Sequence, residues 1–298
     1  DPRQIIIGAG TEYLYTILIQ LLGLDKIIAL EDPSYPKIRK IYQQFNINQT
    51  YIDMEKDGIS ISKLKQTKAE VIHLSPSHQF PTGSILSIGK RCELLSWANQ
   101  GNRYIIEDGY DCEFRFQGLP IPSLQEIDTL GKVIYINTFS KSLSSTLRIS
   151  YMILPPQLLE QFEDKLNFYS NTVSNLQQYT LAYFIKDGYF EKHLNRMRLF
   201  YQRKRDSLVQ KLLSSPLKNH ITIHEDESGL HFIMTITSDL SEEKICQLAL
   251  ENHLLMTPIS HYYHGKNRLF EKSFIVNYAN ISEKESDYII NVLSKIIL

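Results

Sequence analysis

Residues 132–155 read KVIYINTFSKSLSSTLRISYMILP. Two runs in it, KVIYINT (132–138) and ISYMILP (149–155), are short, rich in Ile, Val and Tyr, and bounded by turn residues. That is the pattern of buried strands. Between them Lys141 sits among hydroxyls. Working outward, KIIALE (26–31), EVIHLSP (70–76) and RYIIED (103–108) share the same texture, and QIIIGAG (4–10) is strand-like. Helical patterns lie between the runs. Leu14, Ile17, Leu18, Leu21 and Leu22 recur at helical spacing up to Gly23, a C-cap glycine. Ile38, Ile41, Tyr42 and Phe45 do the same after Pro36, a proline suited to a helix start. Strands alternating with helices imply an α/β domain with a mostly parallel sheet.

The texture changes near residue 156. A largely helical stretch runs from Pro156 to about Leu213, with a break at Gly188. The last third mixes strand-like pieces (ITIHE, LHFIMTIT, SFIVNYA) with helical ones. It ends in a helix whose start carries a capping box, Ser282 and Glu285, and whose apolar face is Ile289, Val292, Leu293 and Ile296. We expect a large α/β domain over 1–195 and a smaller α+β domain over 196–298.

The 298 residues are ample for a sizeable core. Hydrophobic residues at 43% and charged residues at 22% exclude disorder and collagen-like structure. A formal charge of −1 argues against this chain itself binding nucleic acid, which needs clustered excess Lys and Arg. Cys92, Cys112 and Cys246 form no CxxC pair or zinc spacing, so neither a disulfide framework nor a metal is expected. A reducing, cytoplasmic location fits that usage. The longest early apolar run, LYTILIQLLGL, is too short to span a bilayer, and no membrane contact is expected.

In open α/β sheets, ligands bind beyond the carboxyl ends of the strands. Those ends offer Gly10 and Thr11 before a helix, Tyr35 in PSYP, Asp108 and Tyr110, and Thr138, Ser140 and Lys141. Each has a plain structural reading: a turn, a cap, a core ring, a solvated lysine. Together they fit one small molecule. A glycine turn at a helix start binds phosphate. A lysine in a crowded, partly desolvated site can form a Schiff base with an aldehyde. A carboxylate opposite a pyridine nitrogen keeps it protonated, the pattern expected for pyridoxal phosphate (PLP).

The segments LSPSHQFPTGSILSIGKRCELLSWA (74–98), YIIEDGYDCEFRFQGLPIPSLQEID (104–128), VIYINTFSKSLSSTLRISYMILP (133–155) and FIKDGYFEKHLNRMRLFYQRKRD (184–206) resemble fold-type-I PLP enzymes of the aspartate aminotransferase class. They resemble more closely the aminotransferase-like domain of MocR-type regulators in the GntR superfamily. The resemblance implies PLP as cofactor, held as an internal aldimine on Lys141. Asp108 would meet the pyridine nitrogen, Tyr110 the ring hydroxyl, and Tyr35 would stack on the ring. Gly10, Thr11, Thr138, Ser140 and Arg148 would hold the phosphate. His78 and Gln79 would line the site near the ring. A homodimer is implied as well.

Two departures stand out. The family's EDDYDSEF is EDGYDCEF here, with Gly109 and Cys112 substituted. Near the C-terminus, an arginine that clamps the substrate carboxylate is replaced by Asn280, an amide without a charged fork. Lys37 could supply charge instead. Three functions compete. One is a sensing domain in which PLP itself or an amino compound is the effector. The others are a working aminotransferase and a PLP-free relic. The retained Lys141, Asp108, Tyr110 and Arg148 argue against a relic, and the missing arginine favours the regulator. That reading requires a basic winged helix-turn-helix domain upstream of Asp1, through which alone DNA would be contacted. HYYHG (261–265) is expected to be a surface loop and Trp97 core. Arg196, Arg198, Arg203, Lys204 and Arg205 are expected on the solvated or interface side of a helix.

Overall fold

A computed structural model describes residues 1–116, 121–224 and 229–298. Parts of two segments quoted above, residues 117–120 and Glu225, lie outside the described residues. In chain order the elements are β1 (Ile5–Gly8), α1 (Thr11–Leu22), β2 (Ile27–Asp32), α2 (Pro36–Gln44), β3 (Asn48–Glu55) and β4 (Gly58–Ile59). Next come α3 (Ile61–Gln66), β5 (Val71–Leu74), α4 (Ile88–Asn99), β6 (Tyr104–Asp108), α5 (Leu124–Ile127), β7 (Val133–Thr138), α6 (Phe139–Ser142) and β8 (Ser150–Ile153). The rest is α7 (Pro156–Lys165), α8 (Asn175–Lys186), α9 (Tyr189–Ser214), β9 (Ile221–His224), β10 (Phe232–Ile236), α10 (Glu242–Glu251), β11 (Ser273–Val276) and α11 (Glu283–Ile297).

Among the described residues, eight strands form one sheet in the order β1-β8-β7-β6-β5-β2-β3-β4. The pairs from β7 through β6, β5 and β2 to β3 are parallel; β8 runs antiparallel to both β1 and β7. Alternating side chains feed two cores, as the period of two requires. Ile28, Leu30, Ile106, Ile134 and Ile136 pack with α1 and α7. Ala29, Ile72, Leu74, Ile105 and Val133 pack with α3 and α4, where Trp97 is core as expected. A third core unites the antiparallel sheet β11-β10-β9 with Leu208 and Leu212 of α9, Ile245 of α10 and Leu293 of α11. The six sequence-read strands of the first half are all present. Missed were β3 and the short β4 that pairs with it.

The helical stretch 156–213 divides twice, not once. Gly188 separates α8 from α9 as expected, and a second break after Lys165 ends at Ser174, whose side chain caps α8. The basic residues of α9 are not simply solvated. Arg205 is 3% exposed and lies over the Phe116 ring, Arg198 Nε donates to the Glu113 carbonyl at 2.6 Å, and Lys204 donates to the Ala279 carbonyl at 2.5 Å. They fasten α9 to its neighbours. No helix of the described residues is long and apolar enough to cross a membrane.

Candidate functional site at the strand ends

Register brings the sequence-read residues to one end of the sheet. Gly8 pairs with Ser150, which pairs with Thr138 on its other side, and Asp108 pairs with Ile136. Gly10, Thr11, Arg148, Ser140 and Lys141 follow or precede those positions by two or three residues, so they emerge side by side.

Gly10 caps the start of α1 with φ +96°, and a Cβ there would lie 2.2 Å from Nη2 of Arg148. Only glycine leaves room for that guanidinium. Thr138 Oγ1 lies 2.8 Å from Ser140 Oγ and accepts from the Ser140 amide at 3.2 Å. Glu12, unmarked in the sequence, joins this group. It accepts from Lys37 at 2.8 Å and from Arg148 at 3.0 Å. Partial burial acts to raise its carboxyl, but those hydrogen bonds outweigh it and hold the group down at about 2. Two cations against one carboxylate leave the cradle positive, as a phosphate requires.

Asp108 is 6% exposed at the end of β6. Tyr15 donates its hydroxyl to Oδ2 at 2.5 Å, and His73 Nε2 lies 3.8 Å from the same oxygen. The Tyr42 hydroxyl in turn meets His73 Nδ1 at 2.8 Å. Burial, and then the Asp108 charge, keep the Tyr15 phenol well above its ordinary value, so it stays a donor. Oδ1 of Asp108 is buried without a partner. A buried acceptor with no donor is costly. A protonated ring nitrogen would satisfy it, and the cradle above suits a phosphate, so these residues fit PLP.

Lys141 lies in the single turn of α6 and is exposed, not crowded as its chemistry led us to expect. It borders a cavity of about 220 Å³ together with Phe80, Tyr110, Asp111, His231, Tyr262 and Asn277. Tyr35, 42% exposed, meets Phe80 edge-on at 5.5 Å, and Phe80 meets Tyr262 at 5.3 Å. These rings make an aromatic wall. Tyr110 donates or accepts at His78 Nδ1 at 3.0 Å, and the same nitrogen lies 2.8 Å from Asp111 Oδ2.

Three expected residues do not border this cavity. Gln79 is 1% exposed and spends its amide on the Pro33 and Phe80 carbonyls and its oxygen on Thr82. It braces the loop. Lys37 is held by Glu12, and Asn280 is exposed in a 3₁₀ turn; neither borders the cavity. Asn277 does instead. HYYHG lies at the surface as expected, but it is tied down: the amides of His264 and Gly265 both donate to Asp32 at 2.7 Å, and His264 stacks on Tyr51 at 3.8 Å. Gly109 has a local cause. A Cβ there would lie 2.6 Å from the Tyr135 hydroxyl, which also meets Cys112 Sγ at 3.5 Å.

Fold and site together give an aminotransferase-like fold with a lysine, a buried carboxylate and a cationic cradle at one sheet end. The family model for aminotransferase class I and II matches residues 1–293, and the chain belongs to that family. The chain is 40% identical over 95% of its length to the uncharacterised helix-turn-helix regulator YdeL of Bacillus subtilis, covering 61% of that protein. It is 31% identical, again over 95% of its length, to the probable rhizopine catabolism regulatory protein MocR of Rhizobium meliloti, covering 57% of it. The chain thus spans about three fifths of these curated relatives. Among solved structures, the multiple substrate aminotransferase of Thermococcus profundus superposes with a TM-score of 0.84 at 21% identity, over 98% of this chain and 74% of that one. That likeness concerns the fold.

Proposed function

We propose that this chain is the PLP-binding, ligand-sensing domain of a MocR-type transcription regulator. The observation that carries the reading is the unpartnered, buried Oδ1 of Asp108 at the same sheet end as Lys141 and the Gly10–Arg148 cradle. When bound, PLP supplies an aldehyde that captures amines and a ring that withdraws electrons. The chain's own residues would do the rest. Lys141 would offer the amine that holds the aldehyde. Asp108, oriented by Tyr15 and His73, would keep a proton on the ring nitrogen. Gly10, Thr11, Thr138, Ser140 and Arg148 would bind the phosphate, and Tyr35 would cover the ring.

Effector binding would be relayed to a DNA-binding domain preceding these residues, in a cytoplasmic protein. The relatives' names as helix-turn-helix regulators support this. We place the division of large and small domains near residue 195, inside α9, because the third core draws on α9 only from Tyr201 onward. A homodimer is part of the reading. Its support is the exposed apolar row Leu176, Tyr179 and Tyr183 on α8, 79%, 65% and 61% exposed.

Titration of the purified chain with PLP tests the reading. We expect a lysine-dependent absorbance band that Lys141→Ala abolishes and Asp108→Ala shifts. A band unchanged in Lys141→Ala would sink it. A coupled transaminase assay with amino donors is expected to give no turnover above that of free PLP.

A further inference from the structure

The cavity beside Lys141 has an unusual charge pattern for a family that handles amino acids. No guanidinium borders it among the described residues, and the undescribed stretches QGLP (117–120) and EDES (225–228) contain no Lys or Arg. An adjoining cavity of about 260 Å³ shares Asp111 and is bordered by Arg91, Arg115 and Arg198, but each of these is engaged by the protein. Among the described residues that border the first cavity, the carboxylate is Asp111 and the cation is Lys141.

Asp111 is 3% exposed. Its Oδ2 faces His78 Nδ1, and its Oδ1 has no partner. Opposite lies His231, whose Nε2 is spent on the Pro81 carbonyl at 3.0 Å. Burial, and then the neighbouring His78, hold the His231 imidazole down at about 3, so it brings no positive charge at neutral pH. A ligand carboxylate entering here would meet a buried carboxylate and no charged fork. A ligand ammonium or hydroxyl would satisfy Oδ1.

We propose that the effector is an amine without a carboxylate, a diamine or amino alcohol, whose second polar end donates to Asp111. The inference rests on the PLP-sensing reading for the end that meets Lys141, and on Asp111 for the other end. The same trio has the composition of a metal site, one ligand atom from each of His78, Asp111 and His231 lying within 4.8 Å of the others. Asp111 Oδ2 is already turned to His78 Nδ1, which leaves Oδ1 for the ammonium, and zinc uptake is the outcome that would reverse the assignment.

The test uses PLP-loaded protein and two chain-matched probes, putrescine and γ-aminobutyrate, which differ in one end. Binding is read from the absorbance of bound PLP and from the thermal unfolding midpoint. We expect putrescine to bind at least about tenfold more tightly, about 1.4 kcal/mol, and Asp111→Asn to erase the difference while PLP still loads. Equal or tighter binding of γ-aminobutyrate overturns the proposal, even if Asp111→Asn does not fold. So does an unchanged preference in Asp111→Asn, or uptake of one zinc ion per chain that His231→Ala abolishes. If PLP does not load at all, the sensing reading fails by itself. The midpoint shift with putrescine against γ-aminobutyrate then still decides the Asp111 end.

Discussion

Glu31 shows what one enclosed carboxyl does to a fold of this kind. It is the penultimate residue of β2, 6% exposed, and accepts from the Ser75 amide at 3.1 Å. Burial, only partly opposed by that bond, pushes it up to about 8. An unfolded glutamate titrates near 4.3. Between those values the folded chain keeps a proton that the unfolded chain has released. The stabilisation is complete below the unfolded value and is lost as pH rises through about 8. Stability should therefore fall across that window. Glu31→Gln keeps the shape without the titration, so urea unfolding at about pH 5 and about pH 8 should show a flatter dependence than in the parent. An unchanged slope would mean that Glu31 does not hold the proton. At this scale the sequence revealed the residues that follow strands, such as Asp108, Tyr110 and Lys141. It hid Tyr15, His73, Tyr42 and Glu12, because their spacing is also that of ordinary helix and strand positions. The one available signal was His73, a polar residue inside an otherwise apolar strand.

Elements were legible where burial is two-sided. β2, β5, β6 and β7 are covered on both faces, so they read as continuous apolar runs. β3 reads NQTYIDME and lies near the sheet edge beside β4, where half its side chains stay polar. Its pattern was too weak to mark it. The break before α8 was written in SNTVSN, yet a capping serine in a polar stretch is common. Long-range joints between elements were invisible. Arg91 of α4, 0% exposed, donates to the carbonyls of Leu86, Pro122 and Pro76 and lies 3.6 Å from Glu107 of β6. Glu107 also accepts from the Leu124 and Gln125 amides that start α5. Removing one partner of a buried ion pair strands the other, so Arg91→Met should cost about 3–5 kcal/mol. Urea unfolding measures it. A loss below about 1 kcal/mol would mean that the α5 amides alone satisfy Glu107.

At the scale of the molecule, the exposed row on α8 makes a further claim. Leu176, Tyr179 and Tyr183 face outward at helical spacing, and Phe168 before α8 is 76% exposed. Patches of this kind mark interaction sites. If they form the proposed dimer, Tyr179→Glu with Tyr183→Glu should yield monomers in sedimentation velocity, with the fold kept by circular dichroism. A double variant that still sediments as a dimer places the interface elsewhere.

By itself the sequence determined the class of fold, because apolar period and turn residues are local, and which candidate residues, Lys141, Asp108 and the Gly10 turn, lie at the strand ends. Tertiary structure decided who meets whom. Register set Arg148 against Gly10, and packing left Asp108 and Asp111 each with one buried oxygen unpaired. It also kept Lys37 and Asn280 out of the cavity. Such contacts join residues 136 positions apart, as Arg148 and Glu12 are, and as many as 233, as Gly265 and Asp32 are, and no local pattern encodes them.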